Sequence, residues 1–155
     1  MRTRSTPVAA LAFSVPFIIA GAALTVPAGA TPPEDARLAS CNFARSFATS
    51  DYRTADADLA ATLALTTGDL HDTLQRDSNT LRTVWTKVQL HAVATNVTCT
   101  LQSGDDTHTE ATTDFDQILT YGETGNQPRT THMRMALGLD NVGGTWLVSR
   151  ADTAN

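Results

Sequence analysis

Six residues of this chain are of the types that acid–base chemistry uses: His91, Asp114, Asp116, His132, Tyr52 and Tyr121. An Asp or His beside a Tyr donor in an apolar pocket can move a proton on and off a neutral substrate. The spacing argues against that use here. Asp114 and Asp116 fall on one strand parity and Phe115 on the other, the pattern of a solvated face opposite a core. His91 shares parity with Val93 and Val97 and is expected to point inward. A single inward imidazole more often completes a core hydrogen bond than acts as a base. His132 shares parity with Arg134, which places it on an outer face. No residue is assigned a catalytic role.

Metal and cofactor chemistry finds no better footing. His71, His91, His108 and His132 are scattered, with neither HxH nor HExxH spacing. Asp105, Asp106 and His108 cluster after Gly104, but turns are rich in Asp for backbone reasons. The Asn96-Val97-Thr98 triplet is a formal glycosylation acceptor that falls in the middle of a strand pattern. No metal and no cofactor is expected. The two cysteines, Cys41 and Cys99, form no CxxC and fall short of a structural zinc set. In an exported domain they make a natural disulfide pair; two buried free thiols are the alternative.

The elements that would position these residues change period along the chain. Glu34 to about Arg53 reads as a helix with Ala36, Ala39, Phe43, Ala44 and Phe47 on one side, extended by Cys41, Ala48 and Tyr52. A shorter helix covers Asp56 to Leu65, with Leu59 and Leu63 inward. Thr66-Thr67-Gly68 ends it, and Asp69 looks like the next N-cap. A third helix runs from Leu70 into the mid-eighties, with Leu70, Leu74, Leu81, Val84 and Trp85 inward. Strands follow over Leu90–Leu101, Thr107–Tyr121, Arg129–Asp140 and Thr145–Ser149, separated by Gly/Asp/Asn turns. Met133 and Met135 fall on the apolar side of the third of these. Helices followed by antiparallel strands predict an α+β fold, with helices packed on one face of a curved sheet of four strands or slightly more.

The first thirty residues belong to targeting. Arg2 and Arg4 precede an uncharged stretch from Val8 to Val26, and Ala28-Gly29-Ala30 is a small-x-small cleavage pattern. The expected junction lies between Ala30 and Thr31, leaving a single domain over 31–155. The alternative is a retained anchor through residues 8–26, since the apolar run is longer than an ordinary signal core. Either way the domain is delivered outside the cytoplasm, to be secreted or anchored by one helix. Cleavage removes two of the 11 basic residues and none of the 16 acidic ones, so the formal charge goes from −5 to −7. A domain this acidic is not expected to bind nucleic acid or an anionic membrane surface.

The order of elements resembles the NTF2-like cone, and its details are similar to the Mce-associated membrane proteins of actinobacterial envelopes. Four features carry the resemblance. A hydrophobic N-terminal segment leads into a helix ending in aromatics, Phe47 to Tyr52. A short acidic helix, Asp56 to Ala64, runs into Leu65-Thr66-Thr67-Gly68-Asp69-Leu70. A long helix precedes a Val/Ala/Thr-rich strand. Met133-Arg134-Met135-Ala136-Leu137 then leads to Gly144-Thr145-Trp146-Leu147-Val148, a G-x-W-x-V ending common among NTF2-like domains. That family usually keeps its anchor, whereas Ala28-Gly29-Ala30 here favours cleavage. The resemblance implies a non-catalytic accessory or scaffolding role beside an Mce-type lipid-import complex, with a protein partner in the envelope. It also allows an apolar ligand in the cone, unless Phe43, Phe47 and Trp85 fill it. The alternative it leaves open is a small isomerase- or dehydratase-type enzyme acting on an apolar substrate, because other NTF2-like cones are enzymes.

Overall fold

The structure, a computed structural model, describes residues 33–122, 125 and 127–154. The expectations for residues 1–30, for the Ala30–Thr31 junction and for a span through 8–26 lie outside the described residues. Among the described residues no helix is long and apolar enough to cross a membrane.

Helix α1 spans Glu34–Ala48 behind the extended Pro33. Glu34 and Asp35 in its first turn and Arg45 in its last complement the helix dipole. Ala36, Ser40, Phe43, Ala44 and Ala48 recur at helical spacing and are buried. The helix stops five residues before the expected Arg53. Thr49 is extended, and Ser50–Asp51 forms a short strand, β1, paired with Ala92 and His91. The physical reason is local. The Asp51 amide donates to Asp58 Oδ2 at 2.8 Å, and the Tyr52 amide to the Leu90 carbonyl at 2.9 Å. Both donors are thereby taken from any continued helix.

Helix α2 covers Ala55–Leu63 and α3 covers Gly68–Val88. Thr67, not Asp69, stands at the N-cap position of α3. Four long strands follow: β2 Leu90–Gly104, β3 His108–Tyr121, β4 Arg129–Val142 and β5 Thr145–Thr153. The sheet has five strands in the order β1-β2-β3-β4-β5, and every pairing is antiparallel. The tight turn between β4 and β5 needs positive φ at both central residues, and Gly143 and Gly144 supply it. This is the α+β fold expected, with helices on the concave side of a curled antiparallel sheet, an NTF2-like cone.

One irregularity in β2 alters the expected facing. Thr95 pairs with Asp116 but Thr98 with Asp114, so one extra residue enters at Asn96, whose φ is 53°. A bulge of this kind reverses parity. After it, Val97 and Leu101 pack against the core as expected; before it, Ala92 and Ala94 do so instead of Val93. His91 consequently faces away from the core.

The packed core lies at one end of the cone. Phe43, Ala44, Phe115, Leu137, Leu139 and Val148 are essentially inaccessible, with Trp146 and Met135 beside them. Cys41 on α1 and Cys99 on β2 are joined by a disulfide, with Cα atoms 5.7 Å apart. At the other end α3 rests more loosely. No residue of its 21 is fully buried, and Val84, expected inward, is 50% exposed.

Candidate functional site

The loose end of the cone encloses an apolar cavity of about 320 Å3. Its floor is the sheet, where Leu90 and Ala92 of β2 sit opposite Tyr121 and Leu119 of β3. Its roof is the inner stripe of α3, Leu74, Leu81 and Trp85. Leu59 and Thr62 of α2 close one side, with Phe47 at the end of α1 and Ser50 of β1. The space persists because the floor carries small side chains, Ala92 and Ser50, beneath a helix whose large side chains are only half-buried. Phe43 belongs to the packed core and stacks on Phe47 with ring centroids 5.5 Å apart. Phe47 and Trp85 therefore wall the cavity without filling it.

The polar groups at the cavity are few and neutral. Gln117 lines it while its side-chain amide donates to the Ala48 carbonyl at 2.9 Å, satisfying the last turn of α1. Ser50, Thr62 and Tyr121 supply hydroxyls. Thr62 is held by Ser46 at 2.9 Å and by the Asp58 carbonyl at 3.1 Å. Near Tyr121, Gly122 lies so close to the Gln89 side chain that a Cβ there would sit 1.9 Å from its oxygen. A larger residue there would have to displace the Gln89 side chain. A volume of this size is at the small end of the range for small-molecule sites. An uncharged apolar wall favours a neutral apolar guest, because burying an unpaired charge is costly.

The acid–base candidates are elsewhere, and only Tyr121 among them lines the cavity. His91, expected inward, instead faces away from the core, with Nδ1 3.3 Å from Asp51 Oδ2 of the neighbouring strand and its side chain 48% exposed. Asp51 also accepts from the Arg53 guanidinium at 2.9 Å, which holds its carboxyl far below the usual range. Arg53 reaches over the Tyr52 ring, 5.7 Å from its centroid. Asp114, Asp116 and His132 lie on the outer sheet face as their parity implies. Arg134 Nε donates to Asp114 at 2.7 Å, and His132 Nδ1 lies 3.0 Å from Asp116. Asn96 donates to the other Asp116 oxygen at 2.8 Å, and with His132 lowers the pKa of that carboxyl. Further along the same face His108 lies between Asp140 at 2.6 Å and Glu110 at 3.0 Å, and both raise its pKa. These are polar contacts on a solvated surface, most of them between neighbouring strands, where water screens the charges.

The remaining candidates are structural. His71 Nδ1 lies 3.1 Å from the Thr66 hydroxyl and 3.2 Å from the Leu63 carbonyl, fastening α3 to the end of α2. Asp105 accepts from the amides of Thr107 and His108 and from the Thr107 hydroxyl, which lowers its pKa to about 2. That is the turn role its neighbours suggest. The Asp106 carbonyl accepts from Asn141. Among the described residues no group of three or more His, Cys, Asp or Glu side chains could hold a metal ion. Met133 and Met135 face the core, and neither lines the cavity. Sequence reasoning missed Ser50, Leu90, Ala92 and Gln117 as cavity residues. Ser50 could not have been found without β1, and Ala92 was hidden by the bulge.

No protein-family model matches the chain, and no curated protein sequence matches it significantly. Solved structures do. An IcmL-like type IV secretion system protein from Legionella pneumophila superposes with a TM-score of 0.58 at 16% identity, over 81% of this chain and 94% of that one. CagV, a VirB8 homolog of the type IV secretion system from Helicobacter pylori, gives 0.58 at 11%, over 79% and 98%. A protein from Novosphingobium aromaticivorans, provisionally assigned as an aromatic ring hydroxylase, gives 0.59 at 12%, over 79% and 90%. At such identities the likeness is one of fold: this chain has the α+β cone common to NTF2-like proteins and VirB8-type periplasmic domains.

Proposed function

We propose that this chain is an exported accessory domain of a bacterial envelope complex, acting by binding and scaffolding rather than by catalysis. The observation that carries the reading is the composition of the cavity wall. It presents hydroxyls and one amide to an apolar space, while each described imidazole is engaged on another surface. Proton transfer would need a base within hydrogen-bond reach of a bound substrate. The fold adds support, since the IcmL-like protein and CagV are named as type IV secretion system proteins. The finer proposal is an Mce-type lipid-import complex as the partner, which rests on the motifs around Gly68 and Gly144-Thr145-Trp146. In this reading residues 1–30 target the chain, the domain of 31–155 works outside the cytoplasm, and the cavity holds a neutral apolar group.

The test is affinity purification of the chain from native membranes, paired with lipid uptake in a deletion strain. Co-recovery of Mce and permease subunits, with reduced uptake on deletion, is the expected outcome. Recovery of the chain alone with unchanged uptake would defeat the proposal. The alternative, an isomerase- or dehydratase-type enzyme, is favoured by one observation, the phenol of Tyr121 at the cavity wall. Turnover of an apolar ketone by purified protein, lost in Tyr121→Phe, would establish it instead.

A further inference from the structure

We infer that two copies of this chain pair antiparallel along the free edge of β2, over Val97 to Leu101, between the irregularity at Asn96 and a second one at Gln102. The first half of this edge is occupied. The Leu90 carbonyl accepts from Tyr52, Ala92 pairs with Ser50 of β1, and the Ala94 amide donates to Thr49 Oγ1 at 3.2 Å. These even-numbered residues direct their backbone groups to the edge. The extra residue at Asn96 shifts the alternation, so that Val97, Cys99 and Leu101 take over that direction. Among the described residues no strand pairs with β2 on this side beyond Ala92. The Cys99 side chain leaves toward α1 to reach Cys41, so the disulfide uses none of the edge groups.

The composition of the edge selects the partner. Exposed edges are normally blunted by lysine, inward charge or proline. From Leu90 to Gly104 there is no Lys, Arg, Asp, Glu or Pro, and His91 lies in the occupied half. Every other long strand carries several formal charges. The outer sheet face holds Glu110, Asp114, Asp116, Asp140 and Asp152 against Arg134 and Arg150. A chain of net charge −5 repels its copy over most of its surface, but not along this edge. A two-fold axis at Cys99 sets Thr98 opposite Thr100 of the second copy and Val97 opposite Leu101. Both are favourable cross-strand pairs with no like charges facing. A contact of five residues a side is small, so the dimer is weak and concentration-dependent.

The test is sedimentation of the exported protein, disulfide intact, over a range of concentrations. Wild type is compared with Thr98→Lys/Thr100→Lys and with Thr130→Lys, a control on the interior strand β4. Thr98, Thr100 and Thr130 are all exposed, so lysine there leaves the core alone. A monomer–dimer equilibrium is expected, its dissociation constant raised about tenfold or more by the double change and unmoved by the control. A monomer at every soluble concentration overturns the inference. So does a dimer indifferent to Thr98→Lys/Thr100→Lys, or a foreign strand bound at β2 with the chain itself monomeric. Amide exchange gives a readout independent of the variants: Val97, Cys99 and Leu101 should exchange more slowly as wild-type concentration rises. Exchange that ignores concentration would count against pairing.

Discussion

Thr113 is the residue whose chemistry fits its surroundings least. It lies on β3 with no exposed surface, between Cys99 of β2 and Met135 of β4 in register. Its hydroxyl is buried without a hydrogen-bond partner. The other buried hydroxyls show the contrast: Ser40 donates to the Arg37 carbonyl and Thr66 to the Leu63 carbonyl. A buried polar group left unsatisfied costs about 1–3 kcal/mol. Valine has nearly the same shape and removes the group. Thr113→Val is therefore expected to raise stability by about 1 kcal/mol or more, read as a higher denaturant midpoint with an unchanged slope. A lower midpoint would mean that the hydroxyl finds a partner in solution. The residue scale is also where sequence parity misleads. The parity of Val93 and Val97 predicts an inward His91, but alternation is valid only while the register holds. One extra, left-handed residue, Asn96, reverses the parity, and His91 faces away from the core.

At the scale of elements, the two ends of the cone differ in packing, and mutations should report it. Leu137 on β4 has no exposed surface and sits among Phe115, Leu139 and Val148. Its truncation opens a void in close-packed surroundings. Leu74 on α3 is half-buried and already borders the cavity. Leu137→Ala is expected to cost about 2–5 kcal/mol and Leu74→Ala no more than about 1 kcal/mol. Equal costs in denaturant unfolding would mean that the cavity is closed in solution and α3 is packed as tightly as α1. These elements were legible to different degrees. The helices and long strands declare themselves by period, because apolar side chains must return to one face every 3.6 or 2 residues. β1 did not, since two residues have no period and owe their conformation to β2 and to Asp58. The cavity was not legible either. It arises from a volume mismatch between Ala92 and Ser50 below and the α3 stripe above, which no single residue encodes.

At the scale of the whole molecule, the proposed targeting role of residues 1–30 makes a prediction about the mature chain. Helix α1 begins at Glu34, immediately after Pro33, so a cut at Ala30–Thr31 would leave three residues before it. These are Thr31-Pro32-Pro33, and proline just before a helix presets an extended approach. Cleavage there would remove none of the described residues. Protein recovered from the envelope is expected to begin at Thr31 by N-terminal sequencing. Its intact mass should fall by the two Cys41–Cys99 hydrogens relative to the reduced chain. A start at Met1 or Arg2 in the membrane fraction would replace cleavage with an anchor through residues 8–26. It would also tether the cone within a short reach of the bilayer, favouring partners embedded in it. A soluble form starting at Thr31 would instead leave docking to the surfaces of the cone alone.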